Sequence, residues 1–212
     1  MQSDVSPAGV KEPVFGIGMH RTGTRSLCAY LNLLGYRALH WPEQYENELG
    51  RHIRENGDRM LVLLDPIFQE YDAFADVPFP GLYRELERRF TQARFILTTR
   101  SAESWWRSLV RHWKLETRPF HRLNPGEEIQ YRLYEPNEKN EARLDDKAIF
   151  IAKFLYHNAA VKAHFAGNEH KLLVVDLDDP EKNAKISAFL DKAVKPYPCI
   201  NDARVILTRT TG

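Results

Sequence analysis

The sequence predicts an α/β fold in three layers, with a mostly parallel central sheet flanked by helices on both faces. Three observations carry that prediction. Short apolar runs at 14–19, 94–100 and 171–176 read as buried strands. Each is followed by a segment of helical character, and strand–helix alternation builds parallel sheets through right-handed crossovers. The stretches richest in glycine, hydroxyl and arginine side chains fall at the carboxyl ends of strands, where open α/β sheets hold ligands.

The elements follow in order. The first strand is expected at 14–19 and the first helix at 24–34, with Gly35 as its C′ residue. A short strand at 36–39 leads to a surface helix over 43–56, whose mixed charges suit a solvated face. Residues 59–70 are apolar enough for a buried strand or a helix, and Pro66 interrupts either. A short strand is expected at 71–75 and a helix at 80–90, with proline in its first turn. After the strand at 94–100, Ser101 is placed to N-cap a helix in which Trp105, Leu109 and Trp113 recur as a core stripe. Ser101, Ser104 and Ser108 run along a neighbouring face.

Residues 114–143 carry Pro119, Pro125 and Pro136 among many charges, and a connection this long reads as a lid or acceptor segment. Residues 145–166 form a long amphipathic helix, with Phe154, Leu155, Asn158, Val161 and Phe165 on one side and Gly167 at its end. A buried strand at 171–176 and a helix at 180–192 follow, and 205–212 carries no clear pattern. The chain is expected to form one domain over 1–212, with a flexible N-terminus at 1–13.

Thirty basic and 29 acidic residues nearly cancel to a net charge of +1, which argues against a broad nucleic-acid surface. Cys28 and Cys199 are too few for a disulfide framework and read as reduced thiols of a cytoplasmic protein. The longest apolar run, 60–64, is too short for a transmembrane segment. None of the eight histidines forms a metal signature, so no metal is expected. His157 and His164 suit a core or surface role better than a metal site.

The chemistry concentrates in Gly18-Met19-His20-Arg21-Thr22-Gly23-Thr24-Arg25-Ser26-Leu27. A strand, a tight turn and a helix N-terminus in succession aim backbone N–H groups at one anion. The register differs from a nucleoside-triphosphate loop. Gly18 and Gly23 have the G-x-x-x-x-G spacing, but Thr24 and Arg25 stand where Lys and Ser/Thr belong. The lysine for the terminal phosphates and the magnesium-binding hydroxyl are therefore missing from their usual places. The cation lies within the turn, as Arg21. Farther on, Arg100 at a strand's carboxyl end and Ser108 two turns into the next helix are placed to converge on one anion.

Together these two motifs resemble the sulfotransferases that use 3′-phosphoadenosine 5′-phosphosulfate. The resemblance extends to Leu33-Leu34-Gly35-Tyr36, to the stretch around Asp76-Val77-Pro78, to the Arg-x-x-x-x-Trp-x-x-Ser spacing of Arg100, Trp105 and Ser108, and to the Pro-x-x-Asn of 198–201. It implies a P-loop-type fold. The 5′-phosphosulfate would lie against Arg21, Thr22, Gly23, Thr24, Arg25 and Ser26, and the 3′-phosphate against Arg100 and Ser108. It also implies a small-molecule or carbohydrate acceptor, with acceptor contacts in 114–143. Sulfuryl transfer builds negative charge on the bridging oxygen, and Arg21 is the residue to stabilise it. A hydroxyl acceptor calls for a base, for which His40, Asp65, Asp76 and His157 are candidates, Asp76 and His40 foremost. His20 reads as a loop-orienting residue. Two other functions fit the loop, a P-loop nucleotide kinase or hydrolase and a non-catalytic sulfonucleotide-binding protein.

Overall fold

Five strands in the order β2-β3-β1-β4-β5, every neighbouring pair parallel, form the centre of the molecule. The computed structural model describes residues 12–42, 57–113 and 147–200. The expected helix at 43–56, the expected lid at 114–143, nearly all of the N-terminal 1–13 and the unpatterned 205–212 lie outside the described residues.

The elements are β1 (Val14–Gly16), α1 (Thr24–Leu33), β2 (Ala38–Leu39), α2 (Gly57–Leu63), α3 (Asp65–Glu70) and β3 (Ala73–Ala75). A 3-10 turn at Phe79–Leu82 leads into α4 (Tyr83–Arg89), then β4 (Arg94–Thr99) and α5 (Ala102–Trp113). After α6 (Lys147–His164) come a 3-10 turn at Glu169–Lys171, β5 (Leu172–Asp176) and α7 (Lys182–Phe189). The ambiguous 59–70 stretch is helical. Leu64 joins two helices, and Pro66 sits in the first turn of the second, where its missing N–H costs nothing.

Strand alternation assigns each core its side chains. Phe15, Phe74 and Phe95 stand in register on β1, β3 and β4, giving a row of rings across one face. Phe15 is fully buried, with Phe74 at 5.2 Å and Phe95 at 5.6 Å. Phe68, Phe79 and Phe90 close around it from α3 and the chain flanking α4. The opposite face of the sheet carries Val14, Ala73, Ile96 and Val175, covered by Leu27, Tyr30 and Leu31 of α1, by Leu34 just past its end, and by Ile186 and Leu190 of the α7 region. Those α1 positions recur at helical spacing and so share one face.

A third apolar cluster joins α5 to α6. Trp105, Leu109 and Trp113 are buried as the stripe predicts, and Trp105 stacks on Phe154 at 4.7 Å. Ser101 accepts the Ser104 N–H at 3.3 Å, the N-cap bond expected of it.

Two expectations need correction. Leu155 is 52% exposed. The buried face of α6 comprises Phe150, Lys153, Phe154, His157, Asn158 and Val161, and Leu155 stands about 100° round the helix from Phe154. The last strand is an edge strand with only Val175 buried, because no described strand covers its outer side.

His157 ties α6 to the sheet. Its Nε2 donates to the Ile17 carbonyl at 2.8 Å, just beyond β1. Burial pulls its imidazole down to about 4, against the pull of that carbonyl and with Arg84 adding to the decrease.

Two predictions follow from this packing. Phe15→Ala removes the ring at the centre of the row and should cost about 3–5 kcal/mol in urea denaturation. Leu155→Lys should stay within about 0.5 kcal/mol, as an exposed position. A further prediction concerns pH. Between the usual 6.5 and about 4, the unfolded chain protonates residue 157 while the folded protein does not. Stability should therefore fall as pH drops through that window, and His157→Gln should make the fall shallower. Identical slopes for the two proteins would contradict this account.

Candidate functional site

The loop from Ile17 to Gly23 emerges from β1, between β3 and β4, and is built from close approaches. A Cβ at Gly18 would lie 2.1 Å from Thr98 Oγ1 and 2.4 Å from the Thr98 carbonyl, so no larger residue fits beside β4. The Thr22 hydroxyl donates to the Met19 carbonyl at 2.5 Å, and the Thr22 N–H reaches the same carbonyl at 3.2 Å. A hydroxyl has one proton, so the 2.8 Å contact between Thr22 and Thr98 is donated by Thr98. Arg21 (φ 67°) and Gly23 (φ 83°) are both left-handed and turn the chain into α1.

The loop carbonyls are fixed one after another by side chains. Ile17 O takes His157, Met19 O takes Thr22, His20 O takes the Trp105 indole N–H at 2.9 Å, and Arg21 O takes Arg100 at 3.1 Å. The start of α1 has no side-chain cap and no acidic residue in its first turn. Its first N–H groups lack helical acceptors, so they and the positive end of the helix dipole are free to meet an anion.

Two guanidinium groups flank that helix start. Arg21 Nε donates to Ser108 Oγ at 3.1 Å. Arg100 donates from Nε (3.1 Å) and Nη2 (2.5 Å) to Ser104 Oγ, and from Nη1 to the Arg21 carbonyl. Ser108 was expected to work with Arg100. One helical turn separates the two serines, and the structure gives Ser104 to Arg100 and Ser108 to Arg21. Among the described residues neither arginine forms an ion pair. Burial, opposed by Asp76 and reinforced by Arg100 and Arg25, lowers the Arg21 pKa. Burial also lowers that of Arg100, with Asp178 opposing.

Asp76 and His40 meet beside Thr24. Asp76, buried at the end of β3 with φ 73°, accepts the Thr24 hydroxyl at 2.9 Å and the Val77 N–H at 2.8 Å. His40 Nε2 lies 3.1 Å from both Thr24 Oγ1 and Asp76 Oδ2. The Thr24 proton is committed to Asp76, so both oxygens act as acceptors and His40 carries its proton on Nε2. Nδ1 is then the basic nitrogen of the neutral ring. Burial raises the Asp76 pKa, but the hydrogen bond and charge of His40, with His20 and the Val77 N–H, outweigh it and hold the carboxyl at about 2.

The remaining predicted positions fall as follows. His20 is buried against Trp113 (5.3 Å, stacked) and Trp105, and burial pulls its imidazole down to about 4 despite Asp76. Both Thr22 donors turn inward, so Thr22 shapes the loop. Ser26 Oγ accepts the Ile200 N–H at 3.1 Å, which docks the C-terminal segment on the start of α1. Arg25 is exposed. Asp65 pairs with Arg89 on α4, and His157 lies in the core.

Three residues absent from the sequence-based site belong to its frame. Thr98 locks the loop, Ser104 holds Arg100, and Leu177 covers Gly23, where a Cβ would lie 2.5 Å from its Cδ1. Ser104 was legible as the hydroxyl one turn after Arg100. Nothing in the sequence pairs Leu177 with Gly23.

Among the described residues no helix is long and apolar enough to cross a membrane, and no three His, Cys, Asp or Glu are grouped to hold a metal ion. A curated relative, Ava biosynthesis cluster protein M of Aspergillus versicolor, is 30% identical over 115 residues. That match covers 45% of this chain and 41% of the relative. The family model described as a sulfotransferase domain matches residues 13–206, nearly the whole chain. With its parallel sheet, its loop between β1 and α1 and its two arginines at that loop, the chain belongs to the sulfotransferase domain family.

Proposed function

We propose that this domain transfers a sulfuryl group from 3′-phosphoadenosine 5′-phosphosulfate to a hydroxyl or amine of a small-molecule or carbohydrate acceptor, without a metal. One observation carries the reading. The Arg100 guanidinium rests on the Arg21 carbonyl, so the two cationic sites form one continuous cluster at the start of α1. A ligand with anions on two sides of one ribose suits such a cluster.

In this reading the first-turn N–H groups of α1 and the Arg21 guanidinium hold the phosphosulfate. Arg21 keeps its proton and acts through charge and hydrogen bonding. Charge that grows on the leaving oxygen meets a fixed cation, which favours the transition state over the ground state. Arg100 takes the 3′-phosphate. His40 accepts the acceptor's proton at Nδ1, while Asp76 and Thr24 fix the ring from the Nε2 side. Asp76 is too weak a base for that step and serves as the ring's anchor.

Calorimetry with 3′-phosphoadenosine 5′-phosphate and with magnesium ATP tests the donor class. Micromolar binding of the first and none of the second is expected, and the reverse order would overturn the proposal. Arg21→Ala should lower kcat on the order of 10²–10³-fold. Full turnover in that variant would remove Arg21 from the mechanism. His40→Ala should lower kcat for a hydroxyl acceptor on the order of 10²-fold or more, and full turnover in that variant would assign the proton to another group.

A further inference from the structure

We infer that Ser104 is a further donor-binding residue, whose hydroxyl proton is aimed at the anion that Arg100 holds. The inference rests on the proposed function and adds a residue to its 3′-phosphate site.

A serine hydroxyl has two lone pairs and one proton. Both lone pairs of Ser104 face Arg100, which donates to Oγ from Nε and from Nη2. The proton must therefore point away from the guanidinium. A helical serine usually spends that proton on the carbonyl four residues back. Here that carbonyl belongs to Arg100, and no such bond forms. Among the described residues the Ser104 proton has no acceptor.

Arg100 has the complementary arrangement. Of its five N–H bonds, two go to Ser104 and one to the Arg21 carbonyl. The other two, one on each terminal nitrogen, have no protein acceptor among the described residues. A guanidinium presenting two N–H groups beside a hydroxyl that presents its proton matches three oxygens of a phosphate monoester. Ser104 also lies in the first turn of α5, where the helix dipole favours negative charge. Ser104 is thus both a brace for Arg100 and a third donor to the same anion.

The test compares wild type, Ser104→Ala and Ser104→Thr for binding of 3′-phosphoadenosine 5′-phosphate and of adenosine 5′-phosphate. Alanine suits a helix at least as well as serine, so Ser104→Ala should keep the wild-type Tm. Its affinity for the 3′-phosphorylated ligand should fall about tenfold, as befits a hydrogen bond to a charged group, with adenosine 5′-phosphate little affected. Ser104→Thr, which keeps the hydroxyl, should restore the discrimination. Ser104→Ala binding both ligands as wild type does, or losing both equally, would overturn this inference and leave the proposed function standing. A wild-type protein that binds neither ligand would overturn both.

Discussion

The left-handed backbone at Arg21 is the constraint on which the site depends. A residue with a Cβ at φ 67° costs on the order of 1–2 kcal/mol relative to an ordinary helical conformation. The fold holds it there by fixing the carbonyls of residues 19, 20 and 21 with Thr22, Trp105 and Arg100 respectively. These donors come from the loop itself, from α5 and from the end of β4, so the turn stays put only when the sheet and α5 are in place. The same turn sets Arg21 against Ser108 and leaves the start of α1 uncapped. Strain is held where a cation must face one point, and the aromatic packing of α5 on α6 keeps it.

Electrostatics on the other side of the loop follow from the same geometry. Asp76 is also left-handed, at φ 73°, and its carboxylate is held by three partners. One of them, Thr24, is the first residue of α1, so the His40–Asp76 pair is registered to the same helix whose start lies uncapped at the loop. In the proposed reaction, a base anchored in this way keeps its distance from the transferring group without help from the acceptor. The neutral His20 ring contributes by packing, since its burial against two tryptophans leaves it uncharged at physiological pH.

Much of this arrangement was legible in the sequence, for identifiable reasons. The Phe15, Phe74 and Phe95 strands announced themselves as apolar runs, and the loop's residue types and spacing pointed to an anion before any fold was known. Arg21 stood out as the cation within the turn and Arg100 as a cation at a strand's end. Pairing was less legible. The sequence placed Ser104 and Ser108 on one helix face but could not say which arginine each would meet, because that depends on how α5 docks against the loop. Leu155 was assigned to the wrong side of α6 because an apolar residue beside Phe154 reads as core, whereas helix geometry turns it outward. Residues 59–70 carried no period that separates strand from helix, and tertiary packing around Phe68 decided the outcome.

The central claim is that one ligand joins the start of α1 to Arg100. A crystal structure of the protein with 3′-phosphoadenosine 5′-phosphate tests it most directly. The account predicts the 5′-phosphate on the first-turn N–H groups of α1 beside Arg21, and the 3′-phosphate within hydrogen-bond distance of Arg100 and Ser104. A ligand bound with either phosphate turned away from its arginine would contradict it.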